Sequence, residues 1–284
     1  MNALRSVLSI HPGQAASDGA GVRLTRVIGG AGIERFDPFL MLDEFGSDNP
    51  DDYIAGFPSH PHRGFETITY MLAGSMRHED HLGNVGLLQS GGVQWMTAAR
   101  GIIHSEMPEQ EQGVMRGFQL WLNLPSQEKL GAPGYRDIPA AEIPRLTTAG
   151  GVEVVVIAGQ FDDGQVQQSG AVQRPHTEPQ LFDLHLPAGG RIAPRLVDGH
   201  RALLYVYEGE LQLPSATPKT VAAGRLVRLS DEGELQLASS QGARLLLIAG
   251  KPLNEPIVQY GPFVMNSREE IEQALRDYRD GVLA

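Results

Sequence analysis

His60 and His62 stand one residue apart, and His104 and Glu106 repeat that spacing 42 residues after His62. Side chains of a β-strand alternate between faces, so each pair points to a single side. Two neighbouring strands would bring three imidazoles and one carboxylate to one point. Three nitrogens and one oxygen suit a first-row transition metal and leave coordination positions open. Neutral imidazoles and one carboxylate leave a divalent ion with one net positive charge, which attracts an anionic or enolate-like oxygen. The chain has no cysteine, so thiolate zinc sites and disulfide frameworks are excluded. The 2-His-1-carboxylate logic of non-haem iron, enlarged by one histidine, fits better. In a six-coordinate ion, four protein ligands leave one position for a substrate oxygen and one for water or O2.

Other readings of these residues stay open. Two histidines around a proline also occur in partly exposed loops with no ligand. Pro61 cannot donate to a sheet ladder, so His60-Pro61-His62 is expected at an edge, a bulge or a strand start. Glu66 lies four residues beyond His62 and shares its strand parity. It competes as a ligand, but is preferred as an acceptor orienting a ligand imidazole, or as a structural carboxylate. Gly101 marks a tight turn feeding the next strand, where Ile102, His104 and Glu106 share one buried face. His78 and His81, among Glu79 and Asp80, read as solvated hairpin residues. His176, His185 and His200 have no partner at ligand spacing, and His11 takes no role.

The elements that must position these side chains are short. From Val22 to about Leu124, strands at 67–72, 93–96 and 118–122 alternate with glycine-rich turns. A stretch with Pro125, Pro133, Pro139 and Pro144, plus Gly131 and Gly134, is the best linker candidate. Strands at 152–158, 181–186, 203–213, 225–229, 234–238 and 244–248 follow. Such a series predicts an all-β sandwich or barrel in each half. The expected division is a metal-binding N-terminal barrel over 1–135 and a C-terminal barrel without metal ligands over 136–284. Ser267-Arg268-Glu269-Glu270 is a capping box, predicting a closing helix at about 267–281. Ile271, Ala274, Leu275, Tyr278 and Val282 form its apolar face, and Glu272 with Arg276 an i,i+4 pair.

The halves resemble each other. Tyr70-Met71-Leu72-Ala73-Gly74 matches Tyr205-Val206-Tyr207-Glu208-Gly209, which sets His60 and His62 opposite Arg195 and Val197. Gly92 and Gly101 match Gly224 and Gly233, which sets His104 and Glu106 opposite Gln236 and Ala238. The second half would keep the scaffold and hold none of the four ligands.

Bulk composition narrows the function classes. With 284 residues, 41% of them hydrophobic, the chain can bury two medium cores. Its net charge of −11 disfavours direct binding to nucleic acid or to an anionic membrane. The first thirty residues hold no secretory pattern and no stretch is long enough to span a membrane, so the cytoplasm is expected.

The segment His60-Pro61-His62-Arg63-Gly64-Phe65-Glu66-Thr67 resembles the first cupin motif of pirins. The run from Gln94-Trp95-Met96-Thr97 through Arg100-Gly101-Ile102-Ile103-His104-Ser105-Glu106 resembles the second. Asp37-Pro38-Phe39-Leu40-Met41-Leu42-Asp43-Glu44-Phe45, Leu120-Trp121-Leu122-Asn123-Leu124-Pro125 and Gln259-Tyr260-Gly261-Pro262-Phe263-Val264-Met265-Asn266 are pirin-like too. One departure is Gly91-Gly92, where pirins often have Gly-Asp.

The resemblance implies a bicupin: two β-barrels (double-stranded β-helices) packed face to face, with metal in the N-terminal one and a C-terminal amphipathic helix. It implies Fe(II), replaceable by other divalent metals, on His60, His62, His104 and Glu106. Glu66 matches the general cupin glutamate that pirins do not use as main ligand. Some pirins resemble quercetin 2,3-dioxygenases, opening a flavonol with O2 and releasing carbon monoxide. Glu106 would then also be catalytic, taking the proton of the flavonol hydroxyl, with Phe65, Trp95 and Met96 as apolar neighbours. The alternative is a metal-dependent regulator without turnover, whose acidic surface suits a transcription factor or metabolic enzyme with a basic face. Sugar-phosphate isomerisation ranks last, since only Arg63 and Arg100 are close in sequence to bind a phosphate.

Overall fold

The computed structural model describes residues 3–30, 35–214 and 217–284. The chain folds into two compact units, each made of two segments: Gln14–Ala140 with Leu253–Ala284, and Met1–Gly13 with Ala141–Pro252. The ends are therefore exchanged relative to a single cut near residue 135. The first strand, Val7–Pro12, pairs with Arg225–Leu229 of the later unit. The closing helix packs in the unit that holds His60 and His104. The proline-rich stretch is not a loose tether. It contributes the strand Gly134–Ile138, which pairs with Val93–Thr97, before the chain passes between units at Ala140.

The unit with His60, His62 and His104 is built on two larger antiparallel sheets and a two-stranded one, Val258–Tyr260 with Phe263–Met265. The largest runs in the order Gly134–Ile138, Val93–Thr97, Phe65–Ala73, Met115–Asn123, Phe39–Ser47, Val22–Ile28, Gln14–Asp18. The second runs Phe57–His62, Ile102–Pro108, Ser75–Asp80, Val85–Gln89. His60-Pro61-His62 thus ends an edge strand, where the missing N–H of Pro61 costs little.

The other unit has a ten-stranded antiparallel sheet, whose alternate residues fill one apolar core, and a two-stranded one, Gln160–Asp162 with Gln167–Ser169. Val152, Val154, Val156, Phe182, Leu184 and Leu186 illustrate the period of two. Arg195 and Val197, the counterparts of His60 and His62, are both largely exposed there. Among the described residues, every histidine and carboxylate group close enough to share an ion lies in the first unit.

The helix Arg268–Arg279 starts on the expected capping box: the Glu270 amide donates to Ser267 Oγ, and the Ser267 amide to Glu270 Oε2. It buries Ile271 and Ala274 against Phe263, Met265 and Leu283. Leu275, Tyr278 and Val282 stay exposed, so its buried stripe is narrower than the sequence predicted. Arg63, next to His62, fastens this end: it donates to Asp277 Oδ2 at 2.7 Å, to the Leu283 carbonyl at 3.0 Å and to the Arg100 carbonyl. No helix among the described residues is long and apolar enough to cross a membrane.

Candidate metal centre

The strand Ile102–Pro108 lies between its neighbours and sets the register of the centre. Across from His104 stands His60, and across from Glu106 on the other side stands His78. Ile102, His104 and Glu106 are all buried while Ile103 and Ser105 are less so, the expected alternation. Gly101 enters the strand at φ +157°, and a Cβ there would sit 2.2 Å from the Leu283 carbonyl oxygen. The tight turn is thus also a close approach.

His60, His62 and His104 each offer a ring nitrogen within 4.8 Å of the others. The Nε2 atoms of His60 and His62 face each other at 3.0 Å. His104 Nε2 is buried and has no hydrogen-bond partner. The opposite nitrogens are engaged: His60 Nδ1 with the Pro58 carbonyl at 2.8 Å, and His104 Nδ1 with His78 Nδ1 at 3.3 Å. Burial, then the neighbouring imidazoles, pushes His62 and His104 well below the usual histidine range. These rings are therefore neutral, and a neutral imidazole has the lone pair a metal needs. Glu106 is buried beside them, and the Thr69 hydroxyl lies 3.2 Å from its Oε1. Burial raises the Glu106 carboxyl, opposed by His60 and by bonds from Thr69 and Gln119. Three converging nitrogens, one of them a buried orphan, and an adjacent carboxylate fit a divalent metal.

Glu66 is not part of this group. Gly64 lies at φ +92° in a turn after Phe57–His62, which resets the strand parity. Glu66 instead faces Thr97, whose hydroxyl donates to it at 2.6 Å. His78 corrects the sequence reading: it is fully buried, because Met76 and His78 point inward while Arg77 and Glu79 point out. His81 is exposed as expected.

A cavity of about 660 Å³ opens onto His60, His62 and Glu106. Leu24, Phe45, Phe57, Met76 and Trp121 give it apolar walls, and Arg26 with Asp43 a polar one. Arg26 is held by Asp43 through two bonds of 2.9 and 2.8 Å. None of Phe65, Trp95 and Met96 lines this cavity; Phe65 stands edge-on to His62, 5.1 Å away, in a cluster with Leu40 and Val264. Sequence reasoning missed Thr69, Met76 and Trp121. Thr67 and Thr69 alternate in a buried strand, and that was the available signal.

The Pirin family profile matches residues 21–122, and the Pirin C-terminal cupin domain matches 181–284. The chain belongs to the pirin family. Both β units are cupin domains, as the resemblance implied. A candidate quercetin 2,3-dioxygenase of Pseudomonas aeruginosa is 74% identical over 284 residues, all of both chains. Human pirin is 39% identical over 270 residues, 93% of this chain and 89% of that one. The crystal structure of a quercetin 2,3-dioxygenase from Acinetobacter baumannii superposes with a TM-score of 0.90 at 31% identity, covering 99% of each chain.

Behind this pirin centre, Lys129 fixes the turn that follows His62. Its buried ammonium donates to the Gly64 carbonyl at 2.6 Å, to Asn123 Oδ1 at 2.6 Å and to the Val264 carbonyl at 3.0 Å. Burial lowers its pKa to about 8, so the unfolded chain, with an ordinary lysine, binds this proton more tightly than the folded one. Stability is then expected to rise between about pH 8 and 10.5, by at most about 3 kcal/mol. Urea midpoints across that range should show the rise, and Lys129→Met should remove it.

Proposed function

We propose that this chain is an iron-dependent dioxygenase that opens a flavonol such as quercetin with O2 and releases carbon monoxide. His60, His62, His104 and Glu106 would hold one Fe(II). When bound, the ion supplies a Lewis acid for a substrate hydroxyl and the electron chemistry that O2 requires. The observation that carries the reading is the convergence of His60, His62 and His104, with Glu106 close to His104, beside an apolar cavity that His60, His62 and Glu106 border. The similarity to quercetin 2,3-dioxygenases along the whole chain supports it.

The remaining steps belong to the protein. Leu24, Phe45, Phe57 and Trp121 enclose a flat aromatic body and exclude water. Glu106 accepts the proton of the flavonol hydroxyl on its carboxylate, and Thr69 holds Oε1 in place. A sugar-phosphate substrate finds little support, since the Arg63 guanidinium is committed to Asp277 and Leu283.

Oxygen uptake and carbon monoxide release from a flavonol, measured on Fe(II)-loaded protein, test the reading. Stoichiometric loss of O2 and gain of carbon monoxide is the expected result. A fully loaded, folded protein without turnover would sink the dioxygenase and favour the metal-dependent regulator.

A further inference from the structure

His78 has no place in the proposed chemistry, yet it is fully buried against it. Its Nδ1 lies 3.3 Å from His104 Nδ1, and the two ring centroids are 4.9 Å apart. Tyr135 stacks on its ring with centroids 4.5 Å apart and planes 24° apart. The His78 Nε2 has no hydrogen-bond partner, but the Asp80 carboxylate stands 3.9 Å from it. Asp80 is itself fixed, since it accepts the Leu82 and Asn84 amides and the Asn84 side chain.

A bond between two Nδ1 atoms requires one proton, and its owner decides what His104 can do. Were His78 the donor, His104 Nε2 would carry hydrogen and could not ligate. Acidic groups near His78 Nε2 favour its proton there, which leaves a lone pair on His78 Nδ1. His104 is then the donor, and its Nε2 keeps the lone pair. Both Nε2 atoms, of His104 and of His78, are buried without a hydrogen-bond partner, and only that of His78 has a carboxylate near it. His78, His104 and Glu106 also lie close enough to share an ion among themselves. His60, His62 and Glu106 border the cavity, whereas His78 and His104 both lie behind its lining.

We propose that His78 is a positioning residue. It accepts the Nδ1–H of His104, fixes the tautomer that presents His104 Nε2, and thereby tightens the hold on a divalent metal. This rests on the reading of His104 as a ligand.

The test uses the full chain, stripped and reloaded with Co(II). Affinity is read by chelator competition, and ligand geometry by visible absorption. His78→Leu removes the acceptor and is expected to weaken Co(II) binding roughly 10- to 100-fold. His78→Asn keeps an acceptor near the Nδ1 position and should stay within about threefold of wild type. Should the leucine variant not fold, His78→Gln, whose amide reaches the Nε2 position instead, should bind as weakly as predicted for leucine. Wild-type affinity in folded His78→Leu or His78→Gln would overturn the proposal. So would an asparagine variant as weak as the leucine one, or two Co(II) per wild-type chain with one lost in His78→Leu. Undiminished Co(II) binding by His62→Ala would mean instead that the metal reading itself is wrong.

Discussion

Replacing His62 by alanine is expected to strip the metal from the protein and to take flavonol turnover with it, while the fold survives. The imidazole is buried, and its Nε2 meets that of His60 at 3.0 Å. Removing a group that only orients a ligand weakens metal binding roughly 10- to 100-fold. Removing a ligand should cost at least about a hundredfold, enough to empty the site during purification. Phe65 and Trp121 stand edge-on to the ring, but they also pack with Leu40 and Val264 in one cluster, which should hold the fold when the ring is removed. Metal content by mass spectrometry, circular dichroism and oxygen uptake on the same sample check the result. Retained metal, or loss of structure along with the metal, would count against the assignment.

The second large effect is expected at Gly64. An alanine there would place its Cβ 1.9 Å from the Val264 carbonyl oxygen, at a φ of +92°. Neither partner can retreat. The Gly64 amide donates to the Ala99 carbonyl at 2.8 Å, and the Gly64 and Val264 carbonyls share the Lys129 ammonium. Left-handed strain and the clash together should cost roughly 3 kcal/mol or more. Gly189 is the control: its φ is +77°, but a Cβ there meets nothing within 4 Å. Gly189→Ala should cost only about 1 kcal/mol. Denaturant midpoints separate the two, and because Gly64 follows His62 by two residues, Gly64→Ala should also weaken metal binding.

Much of the centre was legible in the sequence because a strand has a fixed period. His104 and Glu106 share a face by counting alone, and the structure keeps that alternation. His60 and His62 were equally readable, with Pro61 marking the edge. Glu66 was misplaced in parity because counting by twos fails across the turn at Gly64. His78 was illegible for a related reason: a charged hairpin looks solvated until pairing with Ile102–Pro108 sets it opposite Glu106. The exchanged chain ends could not be counted from local pattern. The capping box fixes where the helix starts, but its position depends on Arg63 reaching Asp277 and Leu283 more than two hundred residues away. Proline and glycine content marked the stretch in which the chain passes between units, at Ala140, but not the short strand Gly134–Ile138 that completes a sheet just before it, since such residues mark turns as readily as tethers.

The central claim is that one ion binds where His60, His62, His104 and Glu106 meet. Anomalous diffraction at the metal edge, from crystals grown with Fe(II) or Co(II), tests it most directly. One peak per chain is predicted, within about 2.0–2.3 Å of those imidazoles and that carboxylate. A peak bound by His78 without His60 and His62, a peak in the unit containing Ala141–Pro252, or none at all would contradict the account.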